Sequence, residues 1–270
     1  MLIKTLVENI FFDKKIKPQP GLSLYIEANG LKILFDLGSD DLFIENAQKM
    51  NVNLQDIDLV VISHGHFDHG GALKAFLAIN SKAQVYLHKD AFEDYYHKLL
   101  GLKLPIGLDK TLKNHERIIL TDSLTEITPD LVLFSGVTGR KYFSPVNSKL
   151  LKKTDGKYYA DDFSHEQNLI IKENNKTVLF AGCCHNGIIN TLEKARELSF
   201  EPDVIVSGLH FMKMNLKKYG HLVDNIAQEL KNHKALLYTC HCTGLRAFKR
   251  MESVLPEKIK YLPCGSAIQL

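Results

Sequence analysis

The feature that most constrains this chain is a short run of metal-ligand side chains directly after an apolar segment. Residues 63–71 read SHGHFDHGG, with three histidines and one aspartate in six positions. The preceding residues 57–63 (IDLVVIS) favour a buried strand, and the glycines that follow allow tight bends before a helix. The pattern therefore predicts a strand, a ligand-bearing loop and a helix in succession. The candidate ligands are His64, His66, Asp68 and His69.

Imidazole nitrogen and carboxylate oxygen are donors that borderline divalent metals such as Zn²⁺ prefer. His64 and His66 point the same way in an extended loop, because side chains two residues apart share a face. Asp68 and His69 then lie on the turn into the helix and can face a second metal. Two metals about 3.5–4 Å apart can activate a water molecule at neutral pH. A histidine-rich surface loop would explain neither the strand before the run nor the glycines after it.

Strand and helix patterns alternate along the rest of the chain. Residues 21–28 and 31–36 alternate in polarity around Asn29-Gly30, which predicts a hairpin. A second hairpin is expected between residues 168–171 and 176–181. Helices are expected at residues 42–50, 71–79, 190–198, 222–231 and 246–253, with strands at 2–7, 84–88, 204–207 and 235–239. The order predicts a layered α/β architecture with sheets inside and helices outside.

Composition restricts the class of protein. The 270 residues are 45% apolar and 24% charged, as in an ordinary globular domain, and the net charge of +3 does not favour nucleic-acid binding. Charges interrupt the N-terminal apolar run, and we find no run of about 20 apolar residues that could span a membrane. The five cysteines include the adjacent pair Cys183 and Cys184, which argues against a disulfide framework. We therefore expect a cytoplasmic protein with no nucleic-acid or membrane partner.

Residues 64–69 (HGHFDH) match the H-x-H-x-D-H motif, and on this motif the chain resembles the metallo-β-lactamase fold superfamily. Residues 34–38 (LFDLG) are similar to the early strand of that superfamily, which ends in Asp-x-Gly. Residues 182–188 (GCCHNGI) and 240–244 (CHCTG) resemble one branch, which includes the 7,8-dihydropterin-6-yl-methyl-4-(β-D-ribofuranosyl)-aminobenzene-5′-phosphate synthases. The resemblance implies an αββα sandwich with the metals at one edge of the sheets.

The resemblance also implies ligands outside the first motif. The superfamily supplies one more histidine to the first metal, a bridging carboxylate, and a late histidine to the second metal. His241 matches the late histidine, and His185 is the candidate for the missing one. Cys183 stands where the superfamily has the bridging carboxylate, so it is either a thiolate ligand or an inert buried cysteine. If the second metal is weakly held, Asp68 acts as a general base rather than as a ligand.

Other residues carry weaker signals. His210 follows a predicted strand and either lines the substrate pocket or is a packed core histidine. We expect Asp36 to orient a histidine rather than to bind metal. His165 is interpreted as an exposed loop residue, although it could approach the metals. His97 is one of five histidines interpreted as surface or packing residues. Residues from about 91 to 166 are expected to be an insertion that shapes the pocket mouth, within a single domain spanning residues 1–270.

Three functions remain open. The first is a metal-dependent hydrolase or transferase that uses one or two zinc ions, or Mg, Mn or Fe. The branch resemblance implies a small phosphorylated, pterin-like or otherwise aromatic substrate. Lys213, Lys217 and Lys218 either attract its anionic group or belong to a solvated charged face. The second is an iron-binding redox protein, and the third is a metal or ligand sensor without catalytic activity. The oligomeric state is not indicated by the sequence.

Overall fold

The computed structural model describes residues 1–11 and 14–270. The helices are α1 (Leu42–Lys49), α2 (Phe67–Gly70), α3 (Leu73–Ile79), α4 (Ile188–Glu197), α5 (Leu216–Asn232) and α6 (Leu245–Glu252). The strands are β1 (Leu2–Val7), β2 (Ser23–Ala28), β3 (Leu31–Phe35), β4 (Leu59–Val61), β5 (Gln84–His88), β6 (Asp94–Leu99), β7 (Leu102–Pro105), β8 (Ile118–Thr121), β9 (Leu124–Thr128), β10 (Leu131–Phe134), β11 (Leu150–Thr154), β12 (Lys157–Ala160), β13 (Asn168–Glu173), β14 (Lys176–Ala181), β15 (Val204–Ser207), β16 (Leu236–Thr239), β17 (Ile259–Tyr261) and β18 (Ala267–Gln269).

Two seven-stranded sheets form the centre of the molecule. The first has the order β18-β1-β2-β3-β4-β5-β8, and the second has the order β17-β16-β15-β14-β13-β10-β9. In each sheet one half is antiparallel and the other half is parallel: β3, β4, β5 and β8 run parallel in the first, and β14 to β17 run parallel in the second. Parallel strands place their carboxyl ends at one edge of a sheet, where ligands bind in many α/β proteins.

The hairpin predicted around Asn29-Gly30 is confirmed. Strands β2 and β3 pair antiparallel, with Ala28 opposite Leu31. Asn29 and Gly30 both have positive φ, 51° and 76°. A two-residue turn of this type matches the twist of the flanking strands, and asparagine and glycine tolerate its backbone angles.

The sheets pack face to face through apolar side chains. Residues of both sheets form one buried cluster, in which the rings of Phe35 and Phe180 lie 5.8 Å apart. A second cluster packs α1 and α3 on the outer face of the first sheet, and a third packs α4, α5 and α6 on the outer face of the second. The layers are therefore helix, sheet, sheet and helix, which confirms the predicted αββα sandwich.

The expectation of one continuous insertion at residues 91–166 is wrong in its bounds. Strand β8 belongs to the first large sheet, and β9 and β10 belong to the second. These strands carry buried side chains of the core, such as Leu131 and Leu133, so this part cannot be an addition to the fold. Only the small sheet β12-β11-β6-β7 stands apart from the two large sheets.

Helix α5 begins at Leu216, six residues before the predicted start. The Asn215 side chain accepts hydrogen bonds from the backbone amides of Lys217 and Lys218, and so caps the helix. An N-terminal cap satisfies amide groups that have no partner inside the helix. The apolar periodicity used for the prediction starts only where the helix meets the sheet. None of the helices that the structure describes has the length and hydropathy that crossing a membrane requires.

The packing of Phe180 between the sheets gives a stability prediction. Phe180→Ala removes a fully buried ring and leaves a cavity, so the free energy of unfolding should fall by about 3–5 kcal/mol. Denaturant unfolding followed by circular dichroism measures this loss. Leu124→Ala, at a side chain that is 53% exposed, is the control and should change the value by less than about 0.5 kcal/mol. Equal losses in the two variants would contradict this account of the core.

Candidate metal centre

The candidate ligands lie where the parallel strands of both sheets end. His64 and His66 lie in the loop after β4, and Asp68 and His69 lie in α2, which follows directly. Cys183 and His185 follow β14, and His241 follows β16. All of these histidines and Cys183 are buried. The topology therefore brings together side chains that lie far apart in the sequence.

Two glycines allow the ligand loops to approach each other. A Cβ atom on Gly65, between the first two histidines, would collide with the carbonyl group of Ala91. A Cβ atom on Gly182, just before Cys183, would collide with the hydroxyl of Ser63. Both positions therefore require glycine, the residue without a side chain. The sequence pattern alone did not reveal this requirement.

Two groups of three donors share one cysteine. His64, Cys183 and His185 form the first group, and His69, Cys183 and His241 form the second, each with ligand atoms within 4.8 Å of one another. The distance between His69 Nε2 and Cys183 Sγ is 3.2 Å. The Cys183 thiol therefore lies between the two groups. The resemblance to the superfamily placed the bridging ligand at this residue.

Four of the histidine rings are anchored through Nδ1 and so present Nε2 to the centre. A histidine that binds metal usually has its other nitrogen held in this way, which fixes the tautomer and the ring orientation. The anchoring distances to Nδ1 are 2.9 Å from Ser63 Oγ for His64, 2.6 Å from Asp36 Oδ2 for His69, 2.8 Å from Glu166 Oε1 for His185, and 2.6 Å from Asn9 Oδ1 for His241. Asp36 thus lies where it can orient the His69 ring, in agreement with the expectation from the sequence.

The donor set fits a divalent metal. Within residues 1–11 and 14–270, the buried nitrogens His64 Nε2, His66 Nε2 and His241 Nε2 have no hydrogen-bond partner. A buried polar atom without a partner costs about 1–3 kcal/mol, and a coordinated metal ion would provide the partner. Imidazole nitrogen and thiolate sulfur are ligands typical of zinc. The residues present therefore form a suitable metal site.

Asp68 lies beside the second group. Its Oδ2 atom is 3.6 Å from His241 Nε2 and 4.0 Å from His69 Nε2. Burial opposes ionisation of this carboxyl, but the neighbouring His69 and His241 outweigh burial and hold its pKa well below the usual range. Burial likewise opposes protonation of His241, but the negative charge of Asp68, 3.6 Å away, outweighs burial and raises the pKa of His241 to about 9. Asp68 is therefore a carboxylate at neutral pH.

The neighbouring cysteines have different surroundings. Burial raises the pKa of the Cys183 thiol, and the nearby Cys242 raises it further. The Cys184 thiol points elsewhere and lies 3.4 Å from Thr191 Oγ1. Deprotonation of Cys183 in the buried site thus requires a compensating positive charge, which a metal ion supplies.

Several anchoring residues were missed in the sequence. Glu166 accepts hydrogen bonds from the ring and the backbone amide of His185, at 2.8 and 2.6 Å. Glu8 accepts a hydrogen bond from the backbone amide of His241 at 2.6 Å, and another from the Tyr261 hydroxyl at 2.8 Å. The available signal for Glu166 was its place beside His165. Glu8 and Asn9 follow the first strand, and nothing near them in the sequence indicated a contact with His241.

The interpretation of His165 as an exposed loop residue is wrong. Its side chain is fully buried, and its ring stacks on that of Tyr95 with centroids 3.9 Å apart. His165 Nε2 lies 3.2 Å from Asp161 Oδ2, and Asp161 is also 3.7 Å from His66 Nε2. The polar residues around His165 suggested a loop, and this loop is covered by the small sheet.

A cavity of about 370 Å³ opens over the candidate centre. Its floor includes His66, Asp68, Cys183, His185 and His241. The walls are mainly apolar, and they are formed by Phe67, Leu99, Leu104, Ile106, Val146, Leu150 and Met212. Several of these side chains come from the small sheet. The size and lining are typical of a small-molecule site.

Polar side chains also border this cavity. His210 lines it, which matches the pocket-lining alternative for this residue, and His210 Nδ1 lies 2.6 Å from Asn147 Oδ1. His97, which was interpreted as a surface or packing residue, is half-buried and lines the cavity together with Lys213. His97 lies on β6, so this strand of the small sheet contributes a side chain to the cavity.

Four residues at the candidate site have a strained backbone conformation. Asp36, Cys184, His210 and His241 have φ values between 48° and 62°, a region that side chains other than glycine rarely occupy. Each of these conformations costs free energy and persists only where the surroundings impose it. These four strained residues lie at strand ends that carry the candidate ligands or border them.

Comparisons with known proteins agree with this geometry. Residues 16–147 match the family model of the metallo-beta-lactamase superfamily. An uncharacterized protein of Methanocaldococcus jannaschii is 31% identical over 260 residues, which cover 94% of each chain. The 7,8-dihydropterin-6-methyl-4-(beta-D-ribofuranosyl)-aminobenzene-5'-phosphate synthase of the same organism is 26% identical over 267 residues, which cover 93% of this chain and 90% of the synthase.

Solved structures give the same result. Tm1679, described as a metal-dependent hydrolase of the beta-lactamase superfamily, has a TM-score of 0.82 and 26% identity, over 100% of this chain and 99% of that one. Zn²⁺-bound PqqB from Methylobacterium extorquens has a TM-score of 0.61 and 12% identity over the full length of both chains, which shows the shared fold. On its motif, its fold and these matches, the chain belongs to the metallo-beta-lactamase superfamily.

Proposed function

We propose that this protein is a metal-dependent hydrolase or transferase that acts on a small, anionic, aromatic substrate of the phosphorylated pterin type. The observation that carries the proposal is the position of two donor groups, joined by Cys183, on the floor of an apolar cavity. A zinc ion in either group would activate a water molecule or polarise an ester or phosphate oxygen of the substrate. Zinc is favoured over Mg or Mn because the donors are nitrogen and sulfur.

The protein's own groups have distinct parts in this proposal. His64 and His185 would hold one metal, and His69 and His241 the other, with Cys183 between them. His66 belongs to the same cluster, with its ring centroid 4.6 Å from that of His64. Asp68 borders the cavity and is ionised, so it is placed to accept a proton from the attacking water or to complete the second metal site.

The cavity walls support an aromatic substrate. Apolar side chains such as Leu104, Ile106 and Leu150 offer flat contact surfaces for a ring system. Asn147 Nδ2 donates to the carbonyl of His185, so Asn147 Oδ1 faces His210 and accepts the proton on His210 Nδ1. His210 Nε2 is then an acceptor for an N–H group, which pterin rings possess. Lys213 at the same cavity is suited to a phosphate group.

Similarity to the synthase of M. jannaschii supports the same class of substrate, since the product in that enzyme's name joins a dihydropterin to a phosphorylated ribofuranosyl-aminobenzene. The identity of 26% extends over nearly the whole chain, so the likeness includes the part that forms the cavity.

Metal analysis tests the first part of the proposal. Protein purified without chelator should contain close to two zinc ions per chain by elemental analysis. His64→Ala and Cys183→Ala should each lower the content, because each removes a donor of the proposed centre. Cys184→Ala is the matched control, a neighbouring buried thiol directed toward Thr191, and should keep the wild-type content. Retention of all metal in Cys183→Ala would make that cysteine a packing residue.

Asp68→Asn tests the proton acceptor. If Asp68 is the base, kcat for hydrolysis of an aryl phosphate diester should fall by about 10²–10⁴-fold with metal content unchanged. If Asp68 is a ligand, the second metal should be lost together with the activity. Steady-state kinetics and elemental analysis on the same preparation separate these results. Unchanged kcat and unchanged metal content would remove Asp68 from the mechanism.

Binding of 6-hydroxymethylpterin and its phosphate ester tests the substrate class. The chain contains no tryptophan, so pterin fluorescence can be followed without strong protein emission. The ester should bind more tightly than the parent pterin, and Lys213→Ala should weaken ester binding by about tenfold, the loss expected for one charge-assisted hydrogen bond. Lys217→Ala, an exposed lysine outside the cavity lining, should have no effect. Failure of both ligands to bind would reject a pterin-type substrate.

A further inference from the structure

The hairpin of β6 and β7 ends in a strongly exposed leucine. A turn made of Leu100 and Gly101 joins Leu99 to Leu102, and these two leucines are paired across the hairpin. The Leu100 side chain is 95% exposed and Leu102 is 65% exposed, so the tip of the hairpin presents apolar side chains to water. Neighbouring apolar side chains exposed in this way are typical of a surface that contacts a partner.

The conformation of this turn is unfavourable for leucine. Leu100 and Gly101 both have positive φ, 49° and 85°. Leucine rarely adopts such angles, because its Cβ atom approaches the backbone too closely. Within the described residues, three other hairpins have turns of the same kind, and their central residues are Asn29-Gly30, Asp155-Gly156 and Asn174-Asn175. Asparagine, aspartate and glycine tolerate these angles. Neither backbone geometry nor burial therefore accounts for a leucine at the tip of the β6–β7 hairpin.

Two lysines lie directly behind the apolar tip. Lys98 and Lys103 are opposite each other in the pairing of β6 with β7, and both are exposed. Like charges opposite each other on a sheet are destabilising, and neither lysine forms an ion pair with any residue that the structure describes. The hairpins of the small sheet, residues 94–105 and 150–160, contain five lysines and two aspartates, whereas the net charge of the whole chain is only +3. Positive charge is thus concentrated around the tip.

The apolar surface extends from the hairpin to the mouth of the cavity. Leu99 and Leu104 line the cavity, and each is more than 40% exposed. Phe67 and Met212, which come from other parts of the chain, line the same cavity and are exposed to a similar degree. The exposed leucines of the hairpin are therefore part of a larger apolar surface beside the candidate site.

The charges indicate which partner fits this surface. A second copy of the chain would offer its cavity to the leucine tip, but His97 and Lys213 on the cavity walls do not complement the positive charge of Lys98 and Lys103. Pairing of β7 with another strand is also disfavoured, because Lys103 and Pro105 are residues that protect the edge of a sheet. A bilayer that contains anionic lipids has an apolar interior beneath a layer of negative charge, and so matches both the leucines and the lysines.

We propose that the β6–β7 hairpin is a peripheral membrane contact. Leu99, Leu100 and Leu102 enter the apolar part of the bilayer, and Lys98 and Lys103 lie at the anionic headgroups. Binding of this kind combines buried apolar area with attraction to anionic lipids. The sequence led us to expect no membrane partner because it lacks a spanning segment, and a peripheral contact does not need one. The inference rests on neither the metal centre nor the proposed substrate.

Cosedimentation with lipid vesicles tests the contact. The protein should bind vesicles of phosphatidylcholine mixed with phosphatidylglycerol, and should bind pure phosphatidylcholine vesicles about tenfold more weakly, because the negative layer is missing. Leu100→Ser should weaken binding to the mixed vesicles by about tenfold, the loss expected for one leucine side chain. Leu124→Ser, at another exposed leucine, is the matched control and should bind like the wild type. Absence of binding by the wild type, or equal binding by Leu100→Ser, would contradict the proposal.

The role of the lysines is tested in the same assay. The double variant Lys98→Ala/Lys103→Ala should bind the mixed vesicles about 10–30-fold more weakly, since each basic residue near an anionic surface contributes about a fivefold factor. Lys172 and Lys176 flank the turn of the β13–β14 hairpin, at the end of β14 opposite to Cys183. Lys172→Ala/Lys176→Ala is therefore the matched control and should keep the wild-type affinity. A wild-type affinity in Lys98→Ala/Lys103→Ala would rule out the headgroup contact.

Fluorescence locates the tip of the hairpin in the bilayer. The chain contains no tryptophan, so Leu100→Trp places a single indole at the tip. Its emission should shift to shorter wavelength on addition of the mixed vesicles, and lipids with brominated acyl chains should quench it. Leu124→Trp should show neither change. A shift that occurs without lipid and increases with protein concentration, together with a dimer in sedimentation equilibrium, would assign the tip to a second copy of the chain and overturn the proposal.

Discussion

The anchoring of one nitrogen on each imidazole is the interaction on which the whole centre depends. A free histidine ring can rotate and can exchange tautomers, whereas a ring held by a carboxylate, an amide or a hydroxyl presents one defined lone pair. Two of the anchoring groups come from elements other than those that carry their ligands: Asn9 follows β1 and holds His241, and Glu166 precedes β13 and holds His185. The centre therefore forms only when the two sheets are packed correctly, and the apolar contact between Phe35 and Phe180 serves the chemistry as well as the fold.

Local patterns in the sequence predicted much of the fold. The Asn29-Gly30 turn, the strand before His64 and the helix patterns of the second half have short-range causes, namely turn chemistry and periodic apolar residues. Within the site, the first motif, His185 and His241 were recognised through neighbouring residues in the chain. The structure brings these residues together with Cys183.

The remaining features depend on contacts between distant segments. His165 lies among polar residues that suggested solvent exposure, yet the small sheet covers it. The residues next to His165 in the sequence do not determine how this sheet packs. Glu8, Asn9 and Asp161 have ordinary surroundings in the sequence, and their importance arises only from their partners. The start of α5 was missed because the Asn215 cap precedes the periodic part of the helix. Single side chains whose role comes from tertiary neighbours are the class of residue that pattern analysis overlooks.

The division of the donor groups between the two sheets has a mechanical consequence. His64 and His69 belong to the first sheet's loops, whereas Cys183, His185 and His241 belong to those of the second, more than a hundred residues later. A metal in either group would therefore act as a cross-link between the halves of the sandwich, closing a very long loop of chain. Loss of the metal would then loosen the packing of the two sheets at the edge where the cavity opens, which would couple metal supply to the shape of the cavity.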